Sequence, residues 1–137
     1  MSAQEQQTIR EKYYNEATRY MDNARECLIK AQKKDNNYQD PKYVRMACGT
    51  AYSGLLIALD CFFILKGLHK PASKTRKSIE HYQKNIGQID KKMATQLDNA
   101  YKVLHLSGYY DGIKNATVIK TGFDEAGKII EKIKPLY

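Results

Sequence analysis

The stretch ACGTAYSGLLIALDCFFIL, Ala47 to Leu65, places apolar residues on nearly every side of a helix drawn through it. A helix at a protein surface shows one apolar stripe, whereas a helix apolar all round must be enclosed by neighbours. The remaining chain therefore has to supply several elements that pack around this one. Its longest apolar run, Gly54 to Leu65, is interrupted by Asp60. That falls short of the roughly 20 apolar residues a membrane span requires, so the expectation is a buried core helix and no membrane.

The flanking segments have the period to do this. A first helix is expected from about Gln4 to Lys34, because Tyr13, Ala17, Tyr20, Ala24, Cys27, Leu28 and Ala31 recur at steps of three and four. DNNYQD then breaks it, since short polar side chains compete for the helical backbone. Asp40-Pro41 reads as an N-cap followed by proline at the first helical position of the second helix, which runs to about Lys66 before Gly67. A third helix, about Thr75 to Gln88, carries Ile79, Tyr82 and Ile86, with Ile89 at its ragged end. Asp90 caps a fourth, about Lys91 to Ser107, facing Leu97, Ala100, Tyr101 and Leu104 inward. The fifth runs from near Asn115 to near Lys134 on Val118, Ala126, Ile129, Ile130 and Ile133. No segment alternates long enough to be a convincing strand. Short connections make sequence neighbours antiparallel. The fold class is all-α, an antiparallel up-and-down bundle of four to five helices.

At 137 residues the chain fits one domain, 1–137, with a single core. Its start, MSAQEQQTIREKYY, lacks a basic stretch followed by an apolar one, so no signal peptide is expected and the location is read as cytoplasmic. Cys27, Cys48 and Cys61 each fall within an apolar pattern and form no C-x-x-C pair, so they are read as small hydrophobes rather than metal or redox groups.

The formal charge is +8. Lys66, Lys70, Lys74, Arg76 and Lys77 meet no acid in LKGLHKPASKTRK, a patch able to neutralise phosphates of a nucleic acid. The same patch also reads as a solvated inter-helix loop, and it interleaves no aromatic residue for stacking on bases.

Polar groups meet the core in two places. Along the central helix Arg45, Gly49, Tyr52, Ser53, Leu56 and Asp60 fall on one side. Positions 45 and 60 differ by only about 60° around the axis but lie ~22 Å apart along it, so each needs its own partner. Asp60 among apolar residues requires a hydrogen-bonded or charged partner and reads either as an acid or base or as a structural anchor to an arginine, tyrosine or histidine of a neighbouring helix, with His105 a candidate. Gly49 and Gly54 cost about 1 kcal/mol each against alanine, and close approach of another backbone is the usual return: a tight helix crossing or a homodimer seam. If two copies cross near Gly49, Arg45 of one approaches Tyr52 or Ser53 of the other and forms a cationic groove for an anion or phosphate.

The second place is VLHLSGYYDG, Val103 to Gly112. Gly108 sits where the fourth helix is expected to stop, and Asp111-Gly112 reads as a turn. His105 near a helix C-terminus would have its protonated form favoured by the helix dipole. Tyr109 and Tyr110 are not required by a turn; they either cover the bundle end or line a ligand pocket. His105, Tyr109, Tyr110 and Asp111 join Arg45, Tyr52 and Asp60 as ligand-binding candidates.

Motifs for nucleophilic or metal chemistry are absent: no G-x-S-x-G, no glycine-rich phosphate loop, no H-E-x-x-H and no carboxylate–histidine pairing for a di-iron bundle. No cofactor and no metal are expected.

The stretch DPKYVRMACGTAYSGLLIALDCFF, with the long tyrosine- and alanine-bearing helix before it, resembles the HEPN superfamily of small helical bundles. The chain is more closely similar to a small bacterial HEPN-like family in which an L-H-L-S-x-x-Y-D-G type segment also occurs. The resemblance covers nearly the whole chain and implies an antiparallel bundle, often a homodimer, whose relatives include ribonucleases, toxins, nucleotide binders and partners of nucleotidyltransferases. Active HEPN ribonucleases carry R-x4-6-H. Arg45 is the arginine that would match, but Thr50, Ala51 and Tyr52 stand where the histidine belongs. The expectation is a non-catalytic, homodimeric binding or interaction module. The alternative is an RNA- or nucleotide-binding protein, or a ribonuclease of toxin–antitoxin type, using Arg45 and the basic loop. A protein partner is open to either.

Overall fold

Helix α1 (Ala3–Ala31) starts where the Ser2 hydroxyl accepts the Glu5 N–H at 3.0 Å, relieving one of the unpaired donors of a first turn. It ends three residues short of Lys34. Lys33–Lys34 (β1) and Asn37–Tyr38 (β2) instead form a small antiparallel hairpin, closed by Asp35 and Asn36 at φ 52° and 63°. A two-residue turn with both φ values positive matches the twist of a hairpin, and Asp and Asn tolerate it better than most residues. DNNYQD is therefore more than a helix breaker. Its hairpin docks on the start of the last helix: Tyr38 N–H donates to the Lys114 carbonyl at 2.8 Å, and Ala116 N–H to that of Asn36 at 2.9 Å.

In this computed structural model residues 1–68 and 79–136 are described. Helix α2 (Pro41–Leu65) is capped by Asp40, whose carboxylate accepts the Lys42 N–H at 3.0 Å. It packs against α1, the Tyr101–Tyr110 segment and the last helix, as its all-round apolar surface requires. By length and composition, with a mean hydropathy of 1.7, α2 could cross a membrane, which the sequence reading by its apolar run did not register. In the bundle it is the central helix, with Leu55, Leu59 and Phe63 fully buried. Gly54 permits the α1 crossing, since a Cβ there would lie 3.1 Å from Tyr20 Cβ and 3.2 Å from the Ala17 carbonyl oxygen. That crossing within one chain accounts for this glycine.

Helix α3 (Ile79–Ile89) buries Tyr82 and Ile86; its expected start at Thr75 lies outside the described residues. Helix α4 (Lys91–Ala100) is capped by Asp90, which accepts the Met93 N–H at 2.9 Å. The rod then continues as a π-helix over Tyr101–Tyr110. The expected stop at Ser107 is thus corrected, and Gly108 does not end a helix. Gly108 is buried against Cys48, and a side chain there would collide with the cysteine's Cβ and Sγ. Helix α5 (Ala116–Glu131), capped by Asn115, presses on the same segment from its own side: a Cβ on Gly122 would lie 2.8 Å from Val103 Cβ. Its buried face includes Ile119 and Phe123, which the sequence reading passed over, and the helix ends short of Lys134. The strand content is the one small hairpin among the described residues, and the fold is an all-α bundle.

Candidate functional site

A π-helix closes i→i+5 hydrogen bonds, and such turns gather at functional sites. Here the winding continues into the exit, where the Asp111 N–H donates to the Leu106 carbonyl at 3.0 Å. Residues four and five apart then share a side, and in this segment they are rings. Tyr101 and His105 stack with centroids 5.3 Å apart, and His105 and Tyr109 stack at 5.8 Å with planes 6° apart. Tyr110 meets His105 edge-on at 4.9 Å. From α2, Tyr52 stacks on the same imidazole at 4.7 Å. His105 is thus held by four tyrosine rings, with offset and edge contacts that aromatic pairs prefer.

Beside this ladder runs a groove of about 560 Å³. From α2 it is lined by Arg45, Met46, Gly49, Thr50, Tyr52, Ser53 and Leu56; from the π segment by His105, Tyr109 and Tyr110; and from α1 by Tyr20. Five of the seven ligand candidates read from the sequence therefore meet in one place. Arg45 and Tyr52 meet within a single chain, so the groove does not need the crossing of two copies expected near Gly49. Within the chain the ring of Tyr109 lies against Gly49.

Arg45 is exposed but seated. Its Nη1 donates to the Tyr110 carbonyl at 2.8 Å. Gly112, at φ 64°, lies against the guanidinium, and a Cβ there would be 2.7 Å from Nε. Gly112 is therefore favoured by its left-handed turn, and its missing side chain also leaves room for the arginine in this position.

The other candidates lie elsewhere. Asp60 accepts a hydrogen bond from the Tyr82 hydroxyl at 2.9 Å, so its neighbour-helix anchor is a tyrosine of α3 and not His105. Asp111 is an exposed turn residue outside the groove lining. Lys66 is exposed, with its ammonium 5.6 Å from the centre of the Phe62 ring. Lys70, Lys74, Arg76 and Lys77 lie outside the described residues.

Burial sets the protonation chemistry. It pushes the His105 pKa down, against the protonated form expected from a helix end. The segment runs on past His105, so the imidazole is in the ring stack and not at the last turn. Burial, then Tyr101 and Glu80, pushes the Tyr52 hydroxyl up to about 12. Burial also raises the Cys48 thiol to about 12 and that of Cys61 to about 11, which keeps both as thiols. Among the described residues no cluster of three or more His, Cys, Asp or Glu is placed to hold a metal ion.

Sequence reasoning assigned Tyr101 to the core and missed its place in the ladder. The signal was present as aromatic residues at 101, 105 and 109, spaced as neighbours on one helix side. Met46, Thr50 and Tyr20 carried no comparable signal.

Comparison with known proteins adds family membership. No curated protein matches the chain. Among solved structures, it is similar to a protein of unknown function from Dyadobacter fermentans, at 42% identity over 97% of each chain with a TM-score of 0.80. The model of a domain of unknown function, DUF5618, matches residues 12–135, which includes every residue of the groove. The chain belongs to the DUF5618 family.

Proposed function

We propose that this protein is a non-catalytic binding module whose ligand occupies the groove between α2 and the π segment. The observation that carries this reading is the convergence of Arg45, Tyr52, His105, Tyr109 and Tyr110 on one groove of about 560 Å³. That size suits a small organic ligand, for which pockets of ~300–1,000 Å³ are usual. The inert thiols of Cys48 and Cys61 support binding over nucleophilic chemistry. A fragment screen on the full chain, followed by NMR, tests it. Hits should shift the His105 and Tyr109 signals and lose affinity in Tyr109→Ala. Hits that map only to other surfaces sink the reading.

An RNA-directed role keeps one observation of its own, since Arg45 and His105 line the same groove despite lacking the R-x4-6-H spacing. Binding to labelled single-stranded RNA at low salt decides it; no retention there ends the idea. The homodimer and the HEPN likeness remain proposals too. Self-association is supported by exposed apolar groups at the groove rim: Met46 at 47%, Tyr109 at 45% and Tyr110 at 59%. Light scattering that gives a monomer at high micromolar concentration removes it.

A further inference from the structure

The groove holds one positive charge, Arg45, and no carboxylate of its own lining stands beside it. Among the described arginines, Arg19 pairs with Glu16 and Arg25 with Asp22. Arg10 donates its Nη1 to the carbonyls of Lys132 and Lys134. Arg45 donates to a neutral acceptor, the Tyr110 carbonyl, and no carboxylate pairs with it among the described residues. The groove lining contains neither Asp nor Glu.

A guanidinium has five N–H donors in a planar fork that fits a carboxylate with two parallel bonds. One bond to Tyr110 leaves most of that fork for a ligand. It also fixes the side chain against Gly112 before anything binds, which lowers the ordering cost of association. Arg45 is the one charged side chain of the groove lining, which matches a monoanion, and burial pushes the His105 pKa down, which favours its neutral ring.

The remainder of the lining specifies shape. Tyr109 and His105 are parallel to within 6°, and Tyr109 is 45% exposed. A flat ring laid on Tyr109 extends this ladder, and an aromatic pair is favoured beyond the burial of its area. A saturated ring of equal size has no flat face to offer.

We infer that the groove takes a planar aromatic monocarboxylate, its ring stacked on the Tyr109–His105 ladder and its carboxylate on Arg45. This rests on the groove being the binding site proposed above.

The test titrates the full chain with 2-naphthoate, following the His105 and Tyr109 signals by NMR. Three other probes are run beside it: 2-naphthamide (same ring, no charge), cyclohexanecarboxylate (same charge, no flat ring) and 2-naphthyl phosphate (same ring, higher charge). Naphthoate should bind at least about tenfold tighter than the amide and the saturated acid, a difference of about 1.4 kcal/mol. Arg45→Ala should bring naphthoate down to the amide, and Arg45→Lys should restore only part of the gap because the fork is lost. Tyr109→Ala should weaken naphthoate and naphthamide together. Equal binding of naphthoate and naphthamide overturns the carboxylate assignment, and equal binding of the saturated acid overturns the stacking. A tighter phosphate replaces the monocarboxylate with a phosphate ligand. If no probe shifts the groove while the fragment screen finds hits there, the ligand class is wrong and the binding module stands. If the screen also finds the groove empty, both readings fall.

Discussion

The ring of Tyr109 lies on Gly49, so close that a methyl group on that α-carbon would come within 2.9 Å of Cδ1. One residue belongs to the central helix and the other to the π segment, so this contact joins the floor of the groove to its ladder. Gly49→Ala sets two effects against each other. Alanine gains about 1 kcal/mol of helix propensity, and an exposed ring can swing away at modest cost. Unfolding by denaturant should therefore show a midpoint close to that of the parent. Affinity for the groove ligand should fall, because the displaced Tyr109 leaves the stack on His105. A loss of stability above about 2 kcal/mol would show that the ring cannot move, an overpacking cost of the size seen in closed cores.

Gly108→Ala should behave in the opposite way. Here the new methyl group meets the buried Cys48 side chain and, at 3.1 Å, the Val103 carbonyl oxygen. Neither neighbour can move into solvent. A destabilisation of about 1–3 kcal/mol is expected, read as a lower midpoint with an unchanged denaturant slope. Cys48→Ala in the same chain removes the sulfur and should recover part of it. A neutral Gly108→Ala would mean that the π segment and α2 are less closely packed than described.

Tyr82 ties α3 to the central helix through Asp60. The ring is 4% exposed, and burial followed by the Asp60 carboxylate raises its hydroxyl pKa. Tyr82→Phe keeps the ring and removes the donor, so it should cost about 1.5–3 kcal/mol, the worth of a hydrogen bond to a charged group. Thermal unfolding of Tyr82→Phe beside the parent measures it. An unchanged midpoint would mean that the carboxylate is fully satisfied by other groups.

His105 should make stability depend on pH. Its folded pKa lies below the usual 6.5, so as pH falls the unfolded chain takes up the proton first. Stability is fully present above 6.5 and is lost as pH falls from there through the lower folded value. His105→Phe retains a stacking ring without a titrating group and should flatten this part of the profile. The parent-minus-variant difference in unfolding free energy, measured across that window, isolates the imidazole from the carboxylates. A difference that does not change with pH removes His105 from the account.

The sequence yielded the parts of the fold that are decided locally. Asp40, Asp90 and Asn115 announced helix starts because a capping side chain acts within three residues of itself. The all-round apolar surface of α2 announced its central place. Arg45, Tyr52, His105, Tyr109 and Tyr110 stood out as types that a plain core does not need. What stayed hidden depends on contacts between distant residues. A glycine under a cysteine sulfur reads like a glycine at a helix end, so the sequence at Gly108 predicts a stop. Asp35-Asn36 lacks the glycine that marks most two-residue hairpin turns, and its register is held by Lys114 and Ala116, far along the chain. The wider winding from Tyr101 to Tyr110 also left no mark on a pattern tested against an ordinary helical period.

That winding has a consequence for how the rings are aimed. Each residue of an ordinary helix advances the side-chain direction by about 100°, so residues within a stretch wound more loosely drift out of phase with the rod before it. The core face of α4, on Met93, Leu97 and Ala100, and the ring face of His105 and Tyr109 are two directions on one continuous rod. The π segment sets the angle between them. Shortening it by one residue would leave α4 in the core while rotating the ladder away from Arg45. The length of this segment is thus a dial for the site, independent of every side chain that lines it.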